Sequence, residues 1–275
     1  GTLVHSVLEK IDFSVADVDA ALAAAIDAEL AWCQLDLTPT SPPTAGGSDG
    51  RQLLIEGLGA VLETPLGRIG GERRLADIGP ADRLSELSFD FRLGDVGNRA
   101  KLRAIGRLVV DHLDSSDPLR PWAVRLADGA VDLELAGHLT GSIDLVLRLR
   151  DADGGQRFVV ADYKTNRLTP RGQVPSPDDY APGRMVVAME EHDYPLQALL
   201  YTVALHRYLR WRLTPYDPAS HLGGAAYLFV RGMTGADVAT SDHRPHGVLD
   251  WSIPASLVVE LSSLLDGRPA RGGRR

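Results

Sequence analysis

Residues 138–150 (HLTGSIDLVLRLR) and 157–163 (RFVVADY) are two strand-like runs separated only by DADGGQ. An Asp/Gly-rich break of that length between β-branched and apolar runs predicts a β-hairpin. The FVVA run buries the second strand. A chain organised around such a hairpin has to supply helices to cover it, so an α/β fold is expected.

The rest of the pattern agrees. In 84–93 (LSELSFDFRL), Leu87, Phe89, Phe91 and Leu93 alternate with Glu86, Ser88, Asp90 and Arg92, the mark of a half-buried strand. A further apolar strand is expected over 224–230. Helices are predicted over 2–10, 51–63, 99–114, 193–212 (ended near Pro215) and 254–266. Ser14 with Asp17 resembles a capping box that opens an Ala-rich helix reaching about Gln34. Residues 36–50, with three prolines and no periodicity, read as a loop. No internal repeat is evident. The expectation is one domain over 1–275, with a mainly helical accessory part (1–83, including the 36–50 loop) and an α/β core (84–275).

Several classes are excluded. A lone Cys33 rules out an internal disulfide framework, a cysteine zinc site and an iron–sulfur cluster. It suits a reducing cytosol. No run of 18 apolar residues exists, so no membrane span is expected. Among 29 basic residues only Lys10, Lys101 and Lys164 are lysines, and none follows a glycine. There is therefore no phosphate-binding P-loop and no ATP site of that kind. The chain begins at Gly1 without a basic-then-apolar leader, and we expect it to be a piece of a longer protein.

Asp162 and Lys164, two apart on a strand, emerge on one face. Asp144 lies inside the partner strand, between Ile143 and Leu145. Desolvating a carboxylate in such a strand costs several kcal/mol unless it is paired or bound to a metal. Two carboxylates brought together by a hairpin suit Mg2+, and a neighbouring lysine suits a phosphate. An acid-x-Lys tripeptide alone is weak, and a lone strand Asp is more often a turn or edge residue. The joint pattern is harder to dismiss. Gln197 and Tyr201 share a helix face; in isolation they are as readily core and boundary residues. The same helix runs on through His206, Arg207, Tyr208, Arg210, Trp211 and Arg212, a surface that could take phosphates or simply snorkel. Two decoys are set aside. Gly46-Gly47-Ser48-Asp49-Gly50 matches the hydrolase elbow string without its strand–turn–helix context. His243 and His246 lack a third zinc ligand nearby.

Taken together, GSID (141–144), DYKTN (162–166) and Gln197-x-x-x-Tyr201 resemble the RecB-type branch of the PD-(D/E)XK nucleases. The surrounding GTLVHSVLEKIDF (1–13), YPLQALLYTVALHRYLR (194–210) and GGAAYLFVRG (223–232) are similar to the nuclease domain at the C-terminal end of exonuclease V (RecBCD-type) subunits. The resemblance implies a restriction-endonuclease-like core, a mixed central sheet flanked by helices. It implies a Mg2+-dependent DNA nuclease, with Mn2+ substituting and Ca2+ binding without supporting activity. Asp144, Asp162 and Lys164 would be catalytic. The metal would be held by His5, Asp144, Asp162 and the Tyr163 backbone carbonyl. Gln197 and Tyr201 would lie near substrate, as would Glu86, whose Glu86-x-x-Phe89 resembles a family strand. The implied partners are single-stranded DNA fed by a helicase upstream, RecC- and RecD-like subunits and the RecA recombinase, in a bacterial cytoplasm. The rival is a catalytically silent module that keeps the fold to dock partners.

The formal net charge of −8 is uneven: −9 over residues 1–137 and +1 over 138–275. That argues against DNA coating by bulk charge, and marks the acidic half as a surface for protein rather than DNA.

Overall fold

The computed structural model describes residues 1–33, 49–94, 99–129, 133–151 and 153–267. Nearly all of the 36–50 loop, Gly46–Ser48 of the elbow string and the arginine-bearing tail 268–275 lie outside them.

Five strands form one sheet: β1 Arg83–Leu93, β2 Gly137–Arg150, β3 Gln156–Lys164, β4 Leu222–Phe229 and β5 Val248–Trp251. They lie side by side in chain order, and only β3 and β4 run parallel. The sheet is therefore mixed, as expected. The β2–β3 hairpin pairs Leu145 with Ala161 and Arg150 with Gln156. The β3–β4 crossover carries two helices of ten or more residues and a single α-helical turn at Pro218–His221, because parallel neighbours cannot be joined by a tight turn.

Eight helices of eight or more residues flank the sheet among the described residues. They are α1 Thr2–Lys10, α2 Val18–Cys33, α3 Gly50–Glu63, α4 Leu102–His112, α5 Arg120–Ala127, α6 Pro182–Glu191, α7 Tyr194–Arg212 and α8 Ala255–Leu265. Helices α1–α3 pack on one face, where Val7, Leu22, Ile26 and Leu62 meet Leu147, Val159, Ala161 and Leu228. Helices α4–α8 cover the other, where Ile105, Trp122, Met185, Leu199 and Leu261 meet Ile143, Val160, Tyr227 and Phe229. Burial on both sides explains why β3 reads as a continuous apolar run.

The structure departs from the sequence reading in several places. The Ser14–Asp17 box does not form. Asp17 caps α2 itself, accepting from the Ala20 amide at 3.0 Å, while the Ser14 hydroxyl donates to Asp12. A carboxylate three residues before a free amide is an N-cap in its own right, so the hydroxyl is not needed. Helix α4 starts at Leu102, because Ala100–Lys101 pair with Glu134–Leu135 in a two-residue ladder. Helices α5 and α6 and strand β5 are additions that the sequence pattern does not announce.

One irregularity matters for the site. Side chains two apart on a strand normally share a face, yet Ile143 belongs to the α4–α8 layer and Leu145 to the α1–α3 layer. On β1 the Arg83 guanidinium sits 3.7 Å over the Phe13 ring in one layer, and Leu87 packs into the other. Both strands exchange faces between these pairs. The residue at the crossing on β1 is Glu86, whose φ is 53°.

Candidate active site

The C-terminal end of β3 brings four of the expected side chains together. Asp162 and Lys164 point towards α7, on the same face as Val160. The Lys164 ammonium is 2.6 Å from Asp162 Oδ2 and donates to Gln197 Oε1 at 2.9 Å. It also lies 3.9 Å above the Tyr194 ring, a favourable cation–π placement. Gln197 Nε2 in turn donates to the Tyr201 hydroxyl at 3.0 Å. The two helix residues therefore act as one unit, with the amide oxygen on the lysine and the amide nitrogen on the phenol. Together with Phe89 and Gly141 they line a recess of about 300 Å3.

Asp144 arrives from β2. Its Oδ2 accepts from the Tyr163 backbone amide at 3.0 Å and lies 3.2 Å from His5 Nδ1 on α1. The Tyr163 ring packs edge-on against His5, with centroids 5.9 Å apart. The hydrogen bond to Asp144, aided by the charges of Asp144 and Asp162, raises the His5 pKa against the opposing pull of burial. The site thus joins both helical layers at one end of the sheet.

Glu86 stands apart from this group. It is exposed, and its carboxyl shares a hydrogen bond with Glu9 of α1. Burial, and then Glu86, raise the Glu9 pKa.

Two residues of the site escape sequence reasoning. The Tyr227 hydroxyl donates to the Tyr194 carbonyl oxygen at 2.8 Å and approaches Gln197 Oε1 at 3.1 Å. Tyr194, besides lying under Lys164, stacks on Tyr227 with centroids 5.7 Å apart. Tyr227 pairs with Asp162 across the parallel β3–β4 ladder. Only the register of that ladder would have revealed it.

The donor set suits a divalent cation in kind: two carboxylates, an imidazole and a backbone carbonyl. Asp162 supplies the structural sign. Its Oδ2 is buried and accepts no well-aligned hydrogen bond despite the nearby ammonium. Burial, only partly offset by Lys164, pushes its pKa up to about 6. A buried carboxylate whose charge one ammonium only partly offsets is a group that a further cation would stabilise. The side chains stand joined to one another, and no group of three or more His, Cys, Asp or Glu among the described residues is assembled to hold a metal.

The other features resolve into structure. His246 is buried, with Nε2 2.8 Å from the Ser241 hydroxyl and Nδ1 3.0 Å from the Pro177 carbonyl oxygen. Of the basic stretch on α7, Arg207 is taken up internally by Ser262 and Asp266, whereas Trp211 remains 76% exposed. No helix among the described residues is long and apolar enough to cross a membrane.

Comparison with known proteins agrees with this geometry. The model of the PD-(D/E)XK nuclease superfamily matches residues 1–255. The RecBCD enzyme subunit RecB of Mycolicibacterium smegmatis is 46% identical over 272 residues, 97% of this chain and 24% of that protein. The RecB subunit of Mycobacterium tuberculosis (strain H37Rv) is 45% identical over 275 residues, 97% of this chain and 23% of its own length. That of Escherichia coli K12 is 30% identical over 273 residues, 97% of this chain and 19% of its length. The chain spans about a quarter or less of these relatives. By its matched length and its fold, this chain belongs to the PD-(D/E)XK nuclease superfamily.

Proposed function

We propose that this chain is the nuclease domain of a RecBCD-type exonuclease V, and that it hydrolyses phosphodiester bonds in single-stranded DNA. The observation that carries the reading is the placement of Lys164. It bridges Asp162 on β3 and Gln197 on α7, while Asp144 is fixed beside it by the Tyr163 amide. A silent docking module has no use for a lysine positioned in this way.

Asp144, Asp162, His5 and the Tyr163 carbonyl are the groups that would hold Mg2+. When bound, the ion supplies a water of lowered pKa and positive charge for the phosphate oxygens. The chain's own part is orientation. Gln197 fixes the Lys164 ammonium through its amide oxygen, and Tyr194 supports it from beneath. From there Lys164 steers the attacking water and offsets charge that builds on the phosphate. The Tyr163 amide restrains Asp144, so the two carboxylates keep a fixed relation to the lysine.

The whole is one domain over residues 1–275. It would work downstream of a helicase in a longer polypeptide, with RecC- and RecD-like subunits and RecA as partners, in double-strand break repair and recombination in a bacterial cytoplasm. The motor, rather than bulk charge, would deliver the strand.

The test is incubation of the chain with linear single-stranded DNA in Mg2+ or EDTA. Wild type should cleave only with Mg2+, leaving 5′-phosphate ends, and Mn2+ should replace Mg2+. Lys164→Ala should lose cleavage while keeping its circular dichroism spectrum. Equal activity in wild type and Lys164→Ala would refute the assignment.

A further inference from the structure

Just past the end of β3, bordered by Thr165, lies a cavity of about 700 Å3. It opens where the parallel strands β3 and β4 end, the edge of an open α/β sheet at which ligands characteristically bind. The two strand ends are tied there by the Val230 amide, which donates to the Lys164 carbonyl oxygen at 3.0 Å. The cavity has two unlike walls. Val4, Leu53, Leu54 and Val61, from α1 and α3, form an apolar side. Thr165, Arg167 and Arg231, from the segments that follow β3 and β4, form a basic side.

The two arginines are unusual in this acidic protein. Arg231 Nε donates to the Thr165 carbonyl oxygen at 2.9 Å, and Arg167 Nη2 to the Gln173 carbonyl oxygen at 3.1 Å. No salt bridge ties either of them to a carboxylate among the described residues. Backbone carbonyls thus hold each guanidinium in place through one N–H, with no carboxylate bonded to it among the described residues. The nearby acid Asp179 is bonded by the Ser176 amide and the Thr169 hydroxyl, and feels Arg184 and then Arg167 only as weaker through-space charges. The one acid on the cavity wall, Glu56, sits on α3 and accepts from Gln52 at 2.9 Å.

We infer that this cavity is a binding subsite for the DNA strand that flanks the scissile phosphate, with Arg167 and Arg231 on backbone phosphates and the α1/α3 wall against bases. A preformed arginine pair with no carboxylate bonded to it suits phosphate oxygens. An apolar wall facing it suits unpaired bases, which only a single strand offers. Arg167 follows Lys164 by three residues, so its Cα lies within about 11 Å of the catalytic lysine's. Arg167 also borders a second cavity, beside Arg184 and His192, so the strand has a continuing path over this ridge. The inference rests on the nuclease reading for its substrate, but binding can be measured without cleavage.

The test uses a fluorescein-labelled 12-nucleotide oligothymidylate and the 275-residue chain. Binding is read by anisotropy in EDTA at several salt concentrations, and cleavage in Mg2+. The Arg167→Ala/Arg231→Ala pair should weaken binding about tenfold and flatten the log–log salt dependence by roughly 1.4, the release expected of two phosphate contacts on a single strand. In cleavage, KM should rise while kcat stays within about twofold. The Arg167→Lys/Arg231→Lys pair, which keeps the charge, should restore most of the salt slope. Arg125→Ala, which removes a surface ion pair with Glu190, should leave binding unchanged. Binding by the alanine pair within twofold of wild type would overturn the inference. So would wild-type binding of a 12-base-pair duplex as tight as that of the single strand. Arginine-dependent binding without any Mg2+-dependent cleavage would uphold this subsite and refute the proposed activity.

Discussion

Glu86 and Asp144 occupy the unpaired step of the β1–β2 ladder, between the pairs Ser85–Leu145 and Leu87–Ile143, and Glu86 holds a left-handed backbone. The two strands change faces at this step, which turns Asp144 towards His5. The backbone of Glu86 therefore matters more to the site than its exposed carboxylate. Glu86→Gly should leave stability within about 1 kcal/mol, because relief of the left-handed conformation offsets glycine's entropy cost. Glu86→Val, a β-branched residue at positive φ, should cost roughly 2 kcal/mol. Urea melts of both variants check this. If the valine form is as stable as the glycine form, the backbone account fails.

Gly141 is coupled to Lys164 through three intervening residues, Phe89, Tyr201 and Gln197. A methyl group at this position would come within 2.7 Å of the Phe89 ring. Phe89 meets Tyr201 edge-on at 5.8 Å, and Tyr201 accepts the hydrogen bond from Gln197. Gly141→Ala should cost about 1–3 kcal/mol by overpacking and reduce kcat by displacing Gln197. Phe89→Leu should recover much of both losses. A double-mutant cycle on stability and on kcat, with coupling above about 0.5 kcal/mol, is the expected outcome.

Gln197 holds Lys164 by its oxygen and Tyr201 by its nitrogen. Gln197→Glu keeps an acceptor for the lysine but loses the donor to Tyr201 and adds a charge near Asp162. Gln197→Ala removes both bonds. We expect kcat to fall about tenfold or more in each, with the larger fall in the alanine form. An unaltered kcat in Gln197→Ala would show that Lys164 needs no such support.

Two buried groups give opposing pH dependences in the metal-free chain. The Asp162 pKa is pushed up to about 6 by burial. Its contribution to stability is complete below its unfolded value near 4 and is lost as pH rises through 6. His206 is buried, bonded to the Tyr216 hydroxyl at 2.8 Å, and pushed down to about 4 by burial and by Arg210 and Arg207. Its contribution is present above about 6.5 and is lost as pH falls through 4. Each is worth at most roughly 3 kcal/mol, so they should nearly cancel between pH 4 and 6. In EDTA, Asp162→Asn should make stability rise with pH across this window, and His206→Gln should make it fall. Parallel pH profiles for the two variants would contradict the assignment.

What was legible in the sequence follows the range of the forces involved. Local periodicity sufficed for the hairpin, for the shared face of Asp162 and Lys164, and for the pairing of Gln197 with Tyr201. Each of these depends on residues two to four apart, or on one short turn. Asp144 could be singled out as a charge in an apolar strand, but the turn towards His5 could not, because it depends on the irregular step at Glu86. Tyr227 was hidden for a different reason. Its partner strand lies beyond a crossover carrying α6 and α7, and parallel register leaves no local trace. Short elements such as α5 and β5 carry too few residues for a period to stand out.

The division of the site between two helical layers also bears on how the protein loses activity. His5 is held by the α1–α3 layer, and Gln197 by the layer on the opposite face. The sheet between them is the shared reference. Loosening either layer alone separates a metal-ligand candidate or a lysine support from the carboxylates, although most of the core stays folded. Cleavage therefore reports the cohesion of the whole sandwich and should disappear on heating before the main calorimetric transition.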